Sequence, residues 1–112
     1  MKINQRQVDG VTVLDLKGKI TIGTGDIALR NAVQDALNGG ARAILLNLRD
    51  VSTIDSSGVG ELVSAYTSVA NRGAKLKLLG LPPKVYDVLL ITQLLTVFEV
   101  FDDEASAVAS FR

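Results

Sequence analysis

Two periods of hydrophobicity take turns along this chain. Lys2 to Val8 and Val11 to Leu16 follow the two-residue repeat of a strand, and Asp9-Gly10 between them is a strong hairpin signal. Val11, Val13, Leu14 and Leu16 are the expected core positions. Gly18 to Gly25 reads as a loop-like region with a candidate short strand around Ile20 and Ile22. A three-and-four spacing then predicts a helix over roughly 26–37, with Ile27, Leu29, Val33 and Leu37 on one side. Asp26 suits its start and Asn38-Gly39-Gly40 its end. Ala43 to Leu48 is apolar apart from Asn47, the pattern of a strand covered on both faces.

A second helix is expected from near Ser57, with Val59, Leu62, Val63, Tyr66, Val69 and Ala70 inward and Gly73 at its exit. Lys75 to Leu79 reads as a strand. Pro82-Pro83 opens a third helix, since proline is tolerated in a first turn, and Val85, Val88, Leu89 and Thr92 form its inner stripe. Thr96 to Phe101 is β-branched and aromatic, as a strand would be, and Asp103 to Phe111 is a short helix begun by acidic residues. A hairpin followed by alternating helices and strands implies right-handed crossovers. The expected fold is a single α/β domain over residues 1–112, with a mixed, mostly parallel sheet and about four helices.

Charge and composition narrow the function. Lys and Arg total 12 and Asp and Glu total 12, so neither the basic footprint of a nucleic-acid binder nor a polybasic membrane patch is present. The residues after Met1 contain no apolar signal core. The most apolar stretch, Val85 to Phe101, is interrupted by Asp87, Thr92, Gln93, Thr96 and Glu99 and does not suit a bilayer. The expectation is a cytoplasmic protein. There is no cysteine and no histidine. A thiolate metal site and a Ser-His-Asp triad therefore cannot be built within the chain. Gly18 to Gly25 lacks the Gly-Lys-Ser/Thr ending of a P-loop, so no nucleotide cofactor is expected.

One segment carries candidate chemistry. An apolar strand leads into Asp55-Ser56-Ser57-Gly58, and a helix follows at once. Helix N-termini expose unpaired N–H groups and the positive end of the dipole, a setting that accommodates phosphate. Ser and Asp also cap helices with no further purpose. Gly58 and Gly60 weigh on the functional side, because each costs up to about 1 kcal/mol against alanine in a first helical turn. Bare backbone there admits a close partner or a phosphate.

The run Val51-Ser52-Thr53-Ile54-Asp55-Ser56-Ser57-Gly58-Val59-Gly60 resembles the signature of the STAS family, specifically the bacterial anti-sigma factor antagonists. The resemblance extends over essentially the whole chain. It implies a binding module without catalysis that is phosphorylated on Ser56 by a serine kinase, which is itself the anti-sigma factor. Ser57 would be a secondary acceptor, and Asp55 would shape the turn. The unphosphorylated domain would hold the kinase, phosphorylation would release it, and a phosphatase would reset the serine. Gly58, Gly60 and Glu61, the last read as solvated a turn away, complete the expected partner surface.

The chain also departs from the family. Many relatives carry Gly-Glu-Leu/Ile-Asp after the second strand, where this chain has Gly18-Lys19-Ile20-Thr21. Lys19 and Thr21 thus alter the charge that a partner would meet. Two rival readings stand beside the antagonist. One is a STAS accessory subunit of a transporter or signalling assembly. The other is a small α/β enzyme using Ser56 or Ser57 with Asp55.

Overall fold

The computed structural model describes residues 1–112. Five strands lie in the order of the chain: β1 (Lys2–Val8), β2 (Val11–Ile20), β3 (Ala43–Ile54), β4 (Lys75–Leu79) and β5 (Val100–Phe101). Helices α1 (Gly25–Asn38), α2 (Ser56–Asn71), α3 (Pro83–Ile91) and α4 (Glu104–Ala109) connect or follow them. The hairpin forms as its sequence dictates, with Val8 opposite Val11 and both Asp9 and Gly10 at positive φ. Every later pairing is parallel, so the sheet is mixed and mostly parallel. No helix is long and apolar enough to cross a membrane.

Alternation along β2 and β3 divides the core between two faces. Leu14, Leu16, Ile44, Leu46 and Leu48 join residues of α1, α2 and α3, including Leu29, Val33, Leu62, Val69, Val85 and Leu89, in the larger cluster. Val11, Val13, Leu45 and Leu79 meet Ala107 and Val108 of α4 in a smaller one. Both faces are therefore covered, which explains why Val11, Val13, Leu14 and Leu16 are all buried despite their irregular alternation.

A polar clasp fastens α4 over the smaller cluster. Arg6 donates to Asp15 through Nε at 2.6 Å and Nη2 at 3.0 Å, and to Glu104 through Nη1 at 3.1 Å. Asn47 Nδ2 adds a hydrogen bond of 2.8 Å to Asp15. On the same face, buried Lys77 donates to the Ser110 carbonyl and hydroxyl, each at 3.0 Å, and pairs with Glu99 at 2.8 Å.

The structure corrects several expectations. Gly18 does not end β2; it sits at φ +118 where the register with β3 shifts, and the strand resumes with Lys19 opposite Thr53 and Ile20 opposite Ile54. Ile22 lies beyond the strand, in a turn. β3 accordingly runs on to Ile54 instead of stopping at Leu48. The strand expected over Thr96 to Phe101 shrinks to Val100–Phe101. Phe98 plugs the larger core instead, meeting Tyr66 edge-to-face at a ring separation of 5.4 Å. Ile27 and Thr92 are exposed, not inward: the buried side of α1 is made by Asp26, Leu29, Val33, Ala36 and Leu37, and Thr92 caps the end of α3 with its hydroxyl turned back to the Val88 carbonyl.

Candidate functional site

The Asp-Ser-Ser-Gly turn stands where β3 ends against β2. The chain leaves Ile54 with Asp55 extended (φ −106, ψ −174), and α2 starts at Ser56. Asp55 Oδ1 accepts the Gly58 amide at 2.9 Å, satisfying one of the donors that a helix start leaves unpaired. Its other oxygen, Oδ2, accepts the amide of Ile22, also at 2.9 Å. One carboxylate thus caps α2 and holds the β2–α1 loop beside it. The Ile22 amide, followed by the Gly58 amide, keeps the Asp55 carboxyl below the usual carboxylate range.

Ser56 is the first residue of α2 and is exposed; Ser57 is half-buried. Both Asp55 oxygens are committed to backbone amides and the carboxyl is acidic, which makes Asp55 a poor base for either hydroxyl. The region is an open surface. A groove of about 500 Å³ is lined by residues such as Tyr66, Lys75, Lys77 and Glu99, and none of Asp55 to Gly60 borders it. No group of three or more Asp or Glu side chains could hold a metal ion.

The two glycines have different causes. A Cβ on Gly58 would lie 2.1 Å from the Ile20 carbonyl oxygen and 2.7 Å from Ile54 Cγ1. Gly58 is therefore required by packing against β2. Gly25, at the start of α1, abuts the neighbouring peptide in the same way, with a Cβ position 1.9 Å from the Lys19 carbonyl oxygen. A Cβ on Gly60 would meet nothing within 4 Å, and the residue is exposed. Only Gly60 leaves bare backbone at the surface.

Of the remaining expected site residues, Lys19 is exposed at the end of β2, and half-buried Thr21 accepts the Asp26 amide through its carbonyl at 3.1 Å. Thr21 precedes the Ile22 amide that Asp55 holds, and Lys19 lies just before it at the end of β2. Glu61 is not solvated: it is 7% exposed and accepts from Arg30 Nε at 2.9 Å, joining α2 to α1. Sequence reading missed Arg30, because pairing across two helices leaves no local spacing to detect. It also missed the position of Ile22, whose exposure follows from β2 ending at Ile20.

Comparison with known proteins places this geometry in context. Residues 2–107 match the family described as the STAS domain. A Thermotoga maritima protein provisionally named an anti-sigma factor antagonist has a crystal structure that superposes with a TM-score of 0.89 at 29% identity, covering 98% of this chain and 94% of that one. An anti-sigma F factor antagonist from Paenibacillus polymyxa is 22% identical over 112 residues, spanning 100% of this chain and 96% of that protein. The Bacillus cell fate determinant SpoIIAA, in its phosphorylated form, shares the fold with a TM-score of 0.76 at 22% identity, over 99% of this chain and 100% of that one.

Proposed function

The chain belongs to the STAS domain family, and on that premise we propose that it is an anti-sigma factor antagonist, a cytoplasmic binding module switched by phosphorylation of Ser56. The observation that carries this reading is an exposed serine at the first position of α2, inside a turn fixed by the Asp55 cap. The names of its relatives support the general role. In its unphosphorylated form the domain holds an anti-sigma factor that is also a serine kinase. The kinase moves the terminal phosphoryl group of a nucleoside triphosphate to Ser56 Oγ; the hydroxyl proton passes to a base of the kinase and the nucleoside diphosphate leaves. A phosphatase returns the serine by hydrolysis. Ser57 is the secondary acceptor, and Asp55, Gly60, Lys19 and Thr21 form the contact surface, with buried Gly58 and Glu61 acting from beneath it. The domain catalyses nothing itself.

Magnitudes decide how such a switch works. Phosphoserine adds roughly −1.5 to −2 charges at neutral pH. The dipole of α2 favours that charge by about 0.3–1 kcal/mol, so the fold survives. Misplaced charge at a close interface costs several kcal/mol, and each 1.4 kcal/mol is about tenfold in affinity. Phosphorylation therefore removes the partner without unfolding the protein.

The deciding experiment is intact-mass measurement and phosphosite mapping of the protein from its own cells, beside Ser56→Ala. One phosphate on Ser56, with a serine kinase retained only by the unphosphorylated form, is the expected result. No phosphate under any growth condition, with Ser56→Ala cells behaving normally, overturns the reading and favours an accessory subunit of a transporter or signalling assembly.

A further inference from the structure

Ile22 is 72% exposed and belongs to neither apolar cluster of the core. The fold gains nothing from an isoleucine there, since the bond that ties this residue down is made by its backbone amide. Single apolar side chains on a surface are common. Ile22 differs in how rigidly it is presented. Its amide is held by Asp55, the Thr21 carbonyl before it accepts the Asp26 amide, and Gly25 after it is wedged against Lys19. The loop is thus fixed at both ends, and the residue that fixes it also caps the helix beginning at Ser56. Thr21 to Gly25 carries no charge.

We propose that Ile22 is the anchor by which the kinase acting on Ser56 grips this protein. Its side chain enters an uncharged, apolar socket on the kinase, and the Asp55 bridge sets how far the Ser56 hydroxyl stands from that socket. The inference rests on Ser56 being the phosphoacceptor. An apolar side chain that is desolvated in a pocket at the centre of a contact contributes far more than its neighbours. A loop already ordered before binding gives up little freedom when it docks. Ile22 is accordingly a positioning residue: it governs capture of the protein and leaves the phosphoryl transfer itself alone.

The test is steady-state phosphorylation of the full chain by the recombinant serine kinase of the same cells that labels Ser56. Ile22→Ser should raise KM about tenfold, equivalent to about 1.4 kcal/mol, with kcat little changed and with the same urea midpoint as the parent protein. Ile22→Leu should restore KM. Ile91→Ser removes an equally bare isoleucine, 80% exposed, from the far end of α3, and should leave KM unaltered. Equal KM for the parent and Ile22→Ser overturns the anchor while leaving Ser56 as the acceptor. A rise in KM for Ile91→Ser as large as that for Ile22→Ser overturns it too. Failure of every serine kinase of the cells to label Ser56 overturns both the anchor and the switch.

Discussion

Gly58 rests against Ile20 so closely that a methyl group on the glycine would lie 2.1 Å from the carbonyl oxygen of Ile20. The contact is made by backbone on both sides, and no rotamer change can relieve it. Gly58→Ala should therefore destabilise the fold by about 1–3 kcal/mol, the usual cost of overpacking, even though alanine is the better helix former by up to about 1 kcal/mol. Gly60→Ala, two residues further on in open space, should stabilise by about 0.5–1 kcal/mol. Urea titrations of the two variants should move the midpoint in opposite directions.

Asp55 gives the turn a pH dependence of known sign. Its carboxyl titrates below the ordinary value because the Ile22 and Gly58 amides favour the anion. A group with a depressed folded pKa contributes stability that is complete above its unfolded value, near about 3.9, and is lost as pH falls through the folded value. Asp55→Asn keeps one acceptor oxygen and does not titrate. The parent should be more stable than Asp55→Asn at neutral pH by a constant margin, which should narrow only below about pH 4. A margin that closes near neutrality would show that some other group sets it.

Arg30 and Glu61 hold α1 to α2. The carboxylate is 7% exposed and the guanidinium 57%, so the pair lies between a surface bridge, worth about 0–1 kcal/mol, and a buried one, whose breaking costs about 3–5 kcal/mol. Arg30→Ala should cost about 1–2 kcal/mol on that scale. Glu61→Gln should cost less, since the amide leaves no unpaired charge inside. A double-mutant cycle measured by urea unfolding should return a favourable coupling energy.

Arg6 fastens α4 to the sheet through Asp15 and Glu104. The guanidinium holds both carboxyls below their usual range, with burial opposing it at each and Asn47 assisting at Asp15. Their contribution is again full at neutral pH and lost as pH falls through the depressed values. Arg6→Met should cost about 1–2 kcal/mol at pH 7, since the groups are partly solvated, and the deficit should shrink below about pH 4. Amide exchange in Glu104–Ala109 should quicken in the variant before exchange in β3 does.

The sequence was most legible where one local rule decided the outcome. Asp9-Gly10 could only turn, and the spacing of Val59, Leu62 and Val69 could only be one side of a helix. Asp55, Ser56 and Ser57 were visible as a strand-to-helix junction for the same reason. Gly18 misled because a glycine ends strands and also sits in bulges; the choice depended on β3 continuing alongside to Ile54. Phe98 misled because strand propensity says nothing about which core is short of volume, and the larger cluster took it. Glu61 was read as solvated since its partner comes from another helix, 31 residues away. Gly58 was noticed as costly, but the reason for it lay in a carbonyl of β2 that no local pattern reveals.

Neighbouring peptides at the end of β2 support both helix starts, Lys19 beneath Gly25 and Ile20 beneath Gly58. The surface around Ser56 is consequently finished before any partner arrives. An encounter has to find the right orientation, but it waits for no segment of this chain to fold. Association should then proceed at the ordinary docking rate of about 10⁵–10⁷ M⁻¹ s⁻¹. Loosening that one ledge should be felt first as slower arrival of the partner.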